Sequence, residues 1–134
     1  MNQPVVLDTD ALIRLFRGAS DDVKKVVTGA SRIVIPLVVC GEFKTGIAAN
    51  GLRRSPEAEL FREFLAVPNT SVHRPSEVTA EYYAKIFDYL KKKRCPIPTN
   101  NIWIAAETME IGGRLCSCDS RFAEVPMLCW TYCK

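Results

Sequence analysis

Short apolar runs alternate along this chain with longer segments of helical periodicity. The short runs are rich in β-branched residues, which is typical of buried strands. The predicted strands are Pro4–Leu7, Ile33–Ile35, Thr70–His73, Leu115–Cys118 and Met127–Trp130. Between them, apolar residues recur at three- and four-residue steps, which predicts amphipathic helices. The predicted helices are Asp8–Phe16, Asp21–Val27, Pro36–Asn50, Pro56–Leu65, Glu77–Lys92 and Asn101–Glu110.

This alternation predicts an α/β fold with a parallel sheet, because a helix is the usual connection between neighbouring parallel strands. Such sheets bind ligands beyond the carboxyl ends of their strands, so the polar residues that follow each strand are the candidates for function. With 134 residues, the chain is expected to form one domain.

The composition is that of an ordinary globular protein, with 48% hydrophobic and 25% charged residues. A net charge of +3 allows contact with nucleic acid without indicating it. No apolar run approaches the roughly 18 residues of a membrane span, and Met1–Pro4 lacks the basic flank of a secretory signal. We therefore expect a cytoplasmic protein with no membrane partner and with its 6 cysteines reduced.

Three acidic residues fall where the predicted fold brings them to one edge of the sheet. Asp8 follows the first strand, Glu42 lies in the helix after the second strand, and Asp119 follows Leu115–Cys118. Clustered carboxylates repel each other, so they are favourable together only with a cation. Their oxygens suit Mg2+ or Mn2+, and such an ion supports phosphodiester hydrolysis. Taken singly, each residue is more simply explained as a helix cap, a turn former or a solvated helix residue.

Four segments carry recognisable motifs. They are VLDTDALI at 6–13, VCGEF at 39–43, IPTNNIWIAA at 97–106 and LCSCDSRF at 115–122. In order and spacing the motifs resemble those of PIN-domain ribonucleases, and the third resembles the signature of VapC-type toxins. The resemblance covers essentially the whole chain. It implies a single PIN-like domain over residues 1–134, with three layers in which helices flank a small parallel β-sheet.

The resemblance also implies a function, namely a divalent-metal-dependent endoribonuclease that is the toxin of a type II toxin–antitoxin pair. The implied cofactor is Mg2+ or Mn2+, held at catalytic positions that correspond to Asp8, Glu42, Asn101 and Asp119. Positions that would support this site are Thr9, Asn100 and Ser117. The implied partners are a transfer or ribosomal RNA substrate, a VapB-type antitoxin and a second copy of the chain.

Asn101 is the main departure from the family's pattern, which has Asp at this position. Asn keeps nearly the same shape, so packing should survive, but the loss of a negative charge should weaken metal binding and cleavage. Two explanations remain open. Either the substitution was introduced to disarm a toxin for expression, or it is natural and gives a weakened enzyme or one that uses Asn100, Asp10 or water instead. If the site is inactive, the chain is a PIN-fold binding module that works mainly through its antitoxin complex.

Other interpretations of the chemistry are weaker. The segment 8–10 is also similar to the motif of haloacid-dehalogenase-type phosphatases, but Leu12 stands where that motif needs Thr or Val. The cysteines at 116 and 118 are too closely spaced for a usual zinc site. Structural roles are expected for His73 and Trp103. Basic candidates for RNA phosphate contacts are Arg14, Arg17, Lys44, Arg53, Arg54 and Lys91–Arg94.

Overall fold

Five strands form one parallel sheet in the computed structural model, which describes residues 3–49 and 56–134. The strands are β1 Val5–Leu7, β2 Ile33–Pro36, β3 Thr70–His73, β4 Arg114–Ser117 and β5 Trp130–Tyr132. They are ordered β3-β2-β1-β4-β5, and each neighbouring pair is parallel. The predicted α/β fold with a small parallel sheet is confirmed.

Helices flank this sheet and give the three expected layers. They are α1 Thr9–Arg17, α2 Asp21–Gly29, α3 Leu37–Ala49, α4 Pro56–Ala66, α5 Glu77–Lys92 and α6 Thr99–Glu110, with a short 3-10 helix at Ser120–Glu124. Every residue of β1 and β2 is buried, which explains why these strands are uninterrupted apolar runs. None of the described helices is both long and apolar enough to cross a membrane.

Two of the candidate acids cap helices. The Asp8 side chain accepts the backbone N–H of Ala11 at 2.9 Å and so begins α1. The Asp119 side chain accepts the N–H of Arg121 at 3.0 Å and begins the 3-10 helix. Gly18 ends α1 with φ 63°, a left-handed conformation that glycine adopts without steric cost. The simpler explanation of these two acids as caps is thus correct, and it leaves their second carboxylate oxygens for other contacts.

Helix α6 begins at Thr99, two residues before the predicted start at Asn101. The carbonyl of Pro98 accepts the N–H groups of Asn101 and Ile102, at 3.0 and 3.2 Å, and these bonds form the first turn. That turn was missed because its residues are polar and add nothing to the apolar periodicity. Asn101 therefore lies inside the first turn of α6, near the positive end of the helix dipole.

The bounds of four strands also differ from the predicted ones, and β1 begins at Val5 instead of Pro4. Pro36 is the last residue of β2 instead of the first residue of the following helix. β4 ends at Ser117, so that Cys118 lies beyond the sheet. The last strand was predicted too early, since Met127 is 92% exposed with φ 62° and belongs to the connection before β5.

The strand order creates a crevice at the carboxyl edge of the sheet, between β1 and β4. The chain leaves β1 for β2 on one side and later returns to β4 on the other side, which is the arrangement that opens a binding crevice in such sheets. Leu7 of β1 pairs with Cys116 of β4, so the segments that follow the two strands emerge side by side. Because α6 packs on β4 and leads into it, the first turn of α6 lies at the same edge.

Gly113 permits β1 and β4 to lie close together, and we expect Gly113→Ala to destabilise the sheet. A Cβ at this position would lie 3.0 Å from the carbonyl oxygen of Pro4 and 3.1 Å from Cγ2 of Val6. The Pro4 carbonyl accepts the N–H of Arg114 at 2.8 Å, so its movement would disturb a strand contact. Urea denaturation should show a free energy of unfolding that is lower by about 1–3 kcal/mol.

Gly41→Ala in α3 is the matched control for this substitution. Outside its own helix backbone, a Cβ there meets no described atom within 4 Å. Alanine also favours a helix by about 0.5–1 kcal/mol over glycine. Equal losses of stability in the two variants would contradict the close packing at Gly113.

Candidate functional site

A cleft of about 440 Å³ opens at the carboxyl edge of the sheet. Its lining residues are Asp8, Thr9, Asp10, Glu42, Asn101, Ile104, Cys118, Asp119, Ser120 and Arg121. The four positions at which the resemblance implies metal ligands are all in this set. They come from four distant parts of the chain and meet because the ends of β1 and β4 and the helices α3 and α6 meet there.

Asp8 is almost fully buried in the wall of this cleft, with 5% of its surface exposed. Burial raises the pKa of Asp8 to about 6, because the charged form has lost its water. Hydrogen bonds from Ser117 and from the Ala11 N–H lower this pKa, and the charges of Asp10 and Asp119 raise it. The ionised form of Asp8 therefore gains unusually much from a nearby cation.

The Ser117 hydroxyl joins two of the acids. It donates to Oδ2 of Asp8 and accepts the backbone N–H of Asp119 at 2.9 Å. Ser117 is fully buried at the end of β4, so this bridge is shielded from water. The contact fixes the Asp8 carboxylate relative to the segment that carries Asp119, which is what a supporting residue would do.

Thr9 makes the corresponding contact to Glu42. Its hydroxyl donates to Oε1 of Glu42 at 2.6 Å, and it follows Asp8 directly in the chain. This hydrogen bond connects the start of α1 to α3. It sets the direction of the Glu42 carboxylate relative to Asp8.

Two side chains without negative charge hold Asp119. Asn101 donates from Nδ2 to Oδ2 of Asp119 at 3.1 Å. The Arg121 guanidinium donates to both carboxylate oxygens, with the shortest contact from Nη2 to Oδ2 at 2.7 Å. These hydrogen bonds, that of Arg121 above all, hold the pKa of Asp119 below its usual value. Asp119 is thus stabilised in its charged form, in contrast to Asp8.

The other candidates lie around this centre. Asn100 lines an adjoining depression that has Glu42 in common with the cleft. Asp10 lines the cleft and forms an ion pair with Arg14 at 3.2 Å. Of the basic residues considered for phosphate contacts, those at positions 53 and 54 lie outside the described residues.

The donor atoms of the cleft fit a hard divalent cation. Carboxylate, amide and hydroxyl oxygens are the ligands that Mg2+ and Mn2+ prefer, and the raised pKa of Asp8 reflects unfavourable negative charge. Within residues 3–49 and 56–134, no three acidic, His or Cys side chains are arranged to hold an ion. The contacts explain this, because both carboxylate oxygens of Asp119 face the guanidinium of Arg121. A bound ion therefore requires some of these side chains to turn.

Arg121 was not among the site residues predicted from the sequence. A usable signal was present in the chain, since Asp119 precedes Arg121 by two residues at the start of a helical turn. A capping Asp accepts the N–H of the residue two or three positions later, which brings that residue close to the carboxylate. The side chain of an Arg at this place then reaches the same carboxylate.

Structural contacts account for His73 and Trp103. His73 lies between Glu107, with Nδ1 to Oε1 at 2.8 Å, and Glu110, with Nε2 to Oε1 at 3.3 Å. This cluster joins β3 to α6 and was not foreseen. Trp103 stacks on Tyr83 with 4.3 Å between ring centroids, which packs α6 on α5. Both contacts hold the helix that carries residue 101.

The six cysteines are free thiols. Cys116 lies in β4 with its sulfur 2.9 Å from that of Cys133. Cys118 lies beyond the end of the strand and lines the cleft. Burial raises the pKa of Cys118 to about 11, which keeps this thiol protonated near neutral pH.

Comparisons with known proteins agree with the observed fold. A family model described as the PIN domain matches residues 5–128. The chain is similar to one in the structure of VapBC2 from Rickettsia felis bound to a DNA fragment from their promoter, with a TM-score of 0.83, 17% identity and coverage of 98% of this chain and 99% of that chain. For VapBC-1 from nontypeable Haemophilus influenzae, the TM-score is 0.79 with 26% identity, covering 96% of this chain and 97% of that chain. A search of curated proteins gives no match.

We expect Asp8→Asn to stabilise the metal-free protein at pH 8. The Asp8 carboxyl has its ordinary pKa of 3.8 when unfolded and a pKa of about 6 when folded. The folded state therefore binds more protons than the unfolded state between these pH values. The contribution of Asp8 to the free energy of unfolding is fully present below pH 3.8 and is lost as the pH rises through about 6. Two pKa units correspond to about 3 kcal/mol. Urea denaturation with a chelator should show a gain of about 1–3 kcal/mol at pH 8 and little gain at pH 4.

Asp88→Asn is the control, since it removes a carboxylate from the exposed face of α5, where Asp88 pairs with Lys92 at 2.9 Å. Its effect should be below about 1 kcal/mol at both pH values. If Asp8→Asn at pH 8 is no more stable than the wild type, burial does not disfavour the charged form of Asp8.

Proposed function

Because this chain belongs to the PIN domain family, we propose that it is a divalent-metal-dependent endoribonuclease and the toxin of a VapBC-type pair. The observation that carries the proposal is the convergence of residues 8, 42, 101 and 119 on one cleft. The likeness of the fold to chains in VapBC structures supports the toxin role. The family match gives no support to a haloacid-dehalogenase-type phosphatase.

In this proposal the acids Asp8, Glu42 and Asp119 hold Mg2+ or Mn2+. When bound, such an ion activates a water molecule and stabilises the charge that develops on the phosphodiester. The chain's own contribution is to orient the acids, through the hydrogen bonds of Ser117 to Asp8 and of Thr9 to Glu42. Since these directions are set by buried or half-buried contacts, little ordering of these two acids accompanies binding.

Asn101 provides a neutral position beside the three acids. Its amide oxygen is able to act as a ligand, although in this structure the amide nitrogen faces Asp119. A cation beside Asn101 is attracted less strongly than one beside Asp. The expected result is weaker metal binding and slower cleavage than in an otherwise equal cleft with Asp at this position.

The proposed substrate is RNA of the transfer or ribosomal class, as the family resemblance implies. An acidic cleft repels a polyanion, so cationic side chains around it must hold the phosphates. Arg121 lines the cleft, and the partly exposed Arg14 lies beside it on α1. Contacts of this kind fix the position of an RNA backbone without reading its sequence.

The proposed partners are a VapB-type antitoxin and a second copy of the chain, in the cytoplasm. A second candidate function is a binding module that acts through the antitoxin complex. The neutral Asn101 and the pairing of Arg121 with Asp119 favour this candidate, because both reduce the attraction of the cleft for a cation. The VapBC2 structure from Rickettsia felis, which contains promoter DNA, illustrates such a complex in a similar protein.

We expect Asn101→Asp to strengthen metal binding and RNA cleavage. The substitution adds a negative charge within the cleft and places it next to Asp119. Mn2+ titration by calorimetry should show a dissociation constant lower by on the order of 10–100-fold. Cleavage of total RNA in Mg2+ or Mn2+ should rise in parallel. Without metal, the same variant should be less stable, because two carboxylates would then repel each other.

Asn100→Asp is the matched control, since it adds the same charge one residue earlier in α6, at the adjoining depression. Its effect on Mn2+ binding should be clearly smaller. If neither the wild type nor Asn101→Asp binds Mn2+ or cleaves RNA, the nuclease proposal is wrong and the binding module is favoured. Equal effects of the two substitutions would contradict a ligand position at Asn101.

A further inference from the structure

We propose that Arg121 is an exchangeable counter-cation of the cleft. It pairs with Asp119 in the metal-free protein, leaves this carboxylate when a divalent cation binds there, and is then available to an RNA phosphate. The inference rests on the proposed function, because it concerns the same cleft. It adds a residue that controls metal affinity and contributes to substrate binding.

The contacts of Asp119 leave no room for a metal ion while Arg121 is in place. Oδ1 accepts the backbone N–H and Nε of Arg121, both at 3.0 Å. Oδ2 accepts Nη2 at 2.7 Å, Nε at 3.1 Å and the amide of Asn101 at 3.1 Å. A carboxylate oxygen has about two lone-pair sites, so both oxygens of Asp119 are already fully used. A cation and the guanidinium therefore compete for the same electron pairs.

The charges around the cleft make this competition specific to Arg121. Asp10 already pairs with Arg14, and the described contacts of Asp8 and Glu42 within the cleft are to hydroxyl and backbone N–H groups. Among the described residues, the guanidinium of Arg121 is thus the cation that pairs with one of the metal-site acids, Asp119. A divalent cation would bring more charge to the same acids, and Arg121 would lose its partner.

The pairing is also easy to break. The Arg121 side chain is 55% exposed, and that of Asp119 is 23% exposed. Ion pairs that water and salt reach contribute little to stability, so the release of the guanidinium is a small cost for metal binding. The backbone N–H of Arg121 keeps its bond to Asp119 meanwhile, because this bond belongs to the helix cap. The released side chain therefore stays at the cleft.

A released guanidinium at this position suits a phosphate group. Its planar set of donors now matches the two oxygens of a carboxylate and equally matches two oxygens of a phosphate. Arg121 lines the cleft together with the candidate metal ligands. A phosphodiester bound at the metal would therefore lie close to the guanidinium of Arg121. The same side chain is thus an obstacle to the metal and a partner of the substrate.

The test compares Arg121→Ala with the matched control Arg62→Ala. Arg62 is 57% exposed and also pairs with a nearby carboxylate, Glu59, but it lies on α4 away from the cleft residues. Calorimetric titration with Mn2+ should give a dissociation constant about 3–10-fold lower for Arg121→Ala and an unchanged constant for Arg62→Ala. Arg121→Lys, which keeps the charge but loses the planar donors, should lie between Arg121→Ala and the wild type.

The second measurement is the binding of a fluorescent single-stranded RNA, with Ca2+ in place of Mn2+ to slow cleavage. Arg121→Ala should bind this RNA more weakly at low salt. The negative slope of log affinity against log salt should become shallower by about one. Arg62→Ala should keep the slope of the wild type. Opposite changes in metal and RNA affinity are the signature of an exchangeable cation, which a merely structural Arg121 would not produce.

The outcomes separate this inference from the function on which it rests. If the wild type and Arg121→Ala bind Mn2+ equally well, the nuclease proposal stands and the role of Arg121 is wrong. If Arg121→Ala binds Mn2+ and the wild type does not, the competition is supported in its strongest form. If neither protein binds Mn2+, the metal site itself is wrong, and the role of Arg121 is overturned with it.

Discussion

The burial of a carboxylate at the end of the central strand is the constraint around which the cleft is built. Asp8 has to follow β1 directly in order to cap α1, and this position is 5% exposed. Its charge is therefore poorly solvated, as the pKa of about 6 indicates. Hydrogen bonds from the Ser117 hydroxyl and from the α1 backbone partly offset this loss of solvation. A carboxyl group whose pKa is shifted by its surroundings is a common property of catalytic centres.

A continuous set of hydrogen bonds links Asp8 to the other candidate residues across the cleft. The Ser117 hydroxyl joins Asp8 to the segment of Asp119. The Asp119 carboxylate in turn accepts a hydrogen bond from the amide of Asn101 in α6. On the other side, Thr9 joins the start of α1 to Glu42 of α3. The four positions are thus connected by short side chains that belong to neighbouring elements. Their convergence follows from the strand order, because the segments after β1 and β4 lie side by side at the point where that order reverses.

The sequence was most informative where one physical signal dominated. Buried strands and long amphipathic helices leave periodic patterns, so the sheet and the helix α5 were predicted with nearly correct bounds. The polar first turn of α6 and the late start of β5 left no such pattern. The motifs brought out Asp8 and Asp119, but they did not reveal Arg121, because its role depends on a side-chain contact within a turn. The cluster of His73 with two acids joins residues 34 and 37 positions apart, which local patterns do not register.

Fold and activity depend on different properties of this chain. Replacing Asp by Asn at position 101 changes shape very little, so packing, strand order and family membership are insensitive to it. The electrostatics are sensitive, because Asn101 donates to Asp119 where a carboxylate would repel it. Asn101 and Arg121 therefore act in the same direction: both stabilise a charged Asp119 without metal, and both reduce what a cation gains there. In the proposed nuclease, the balance of charge at Asp119 therefore sets how strongly the cleft attracts a cation, while the shape of the cleft stays the same.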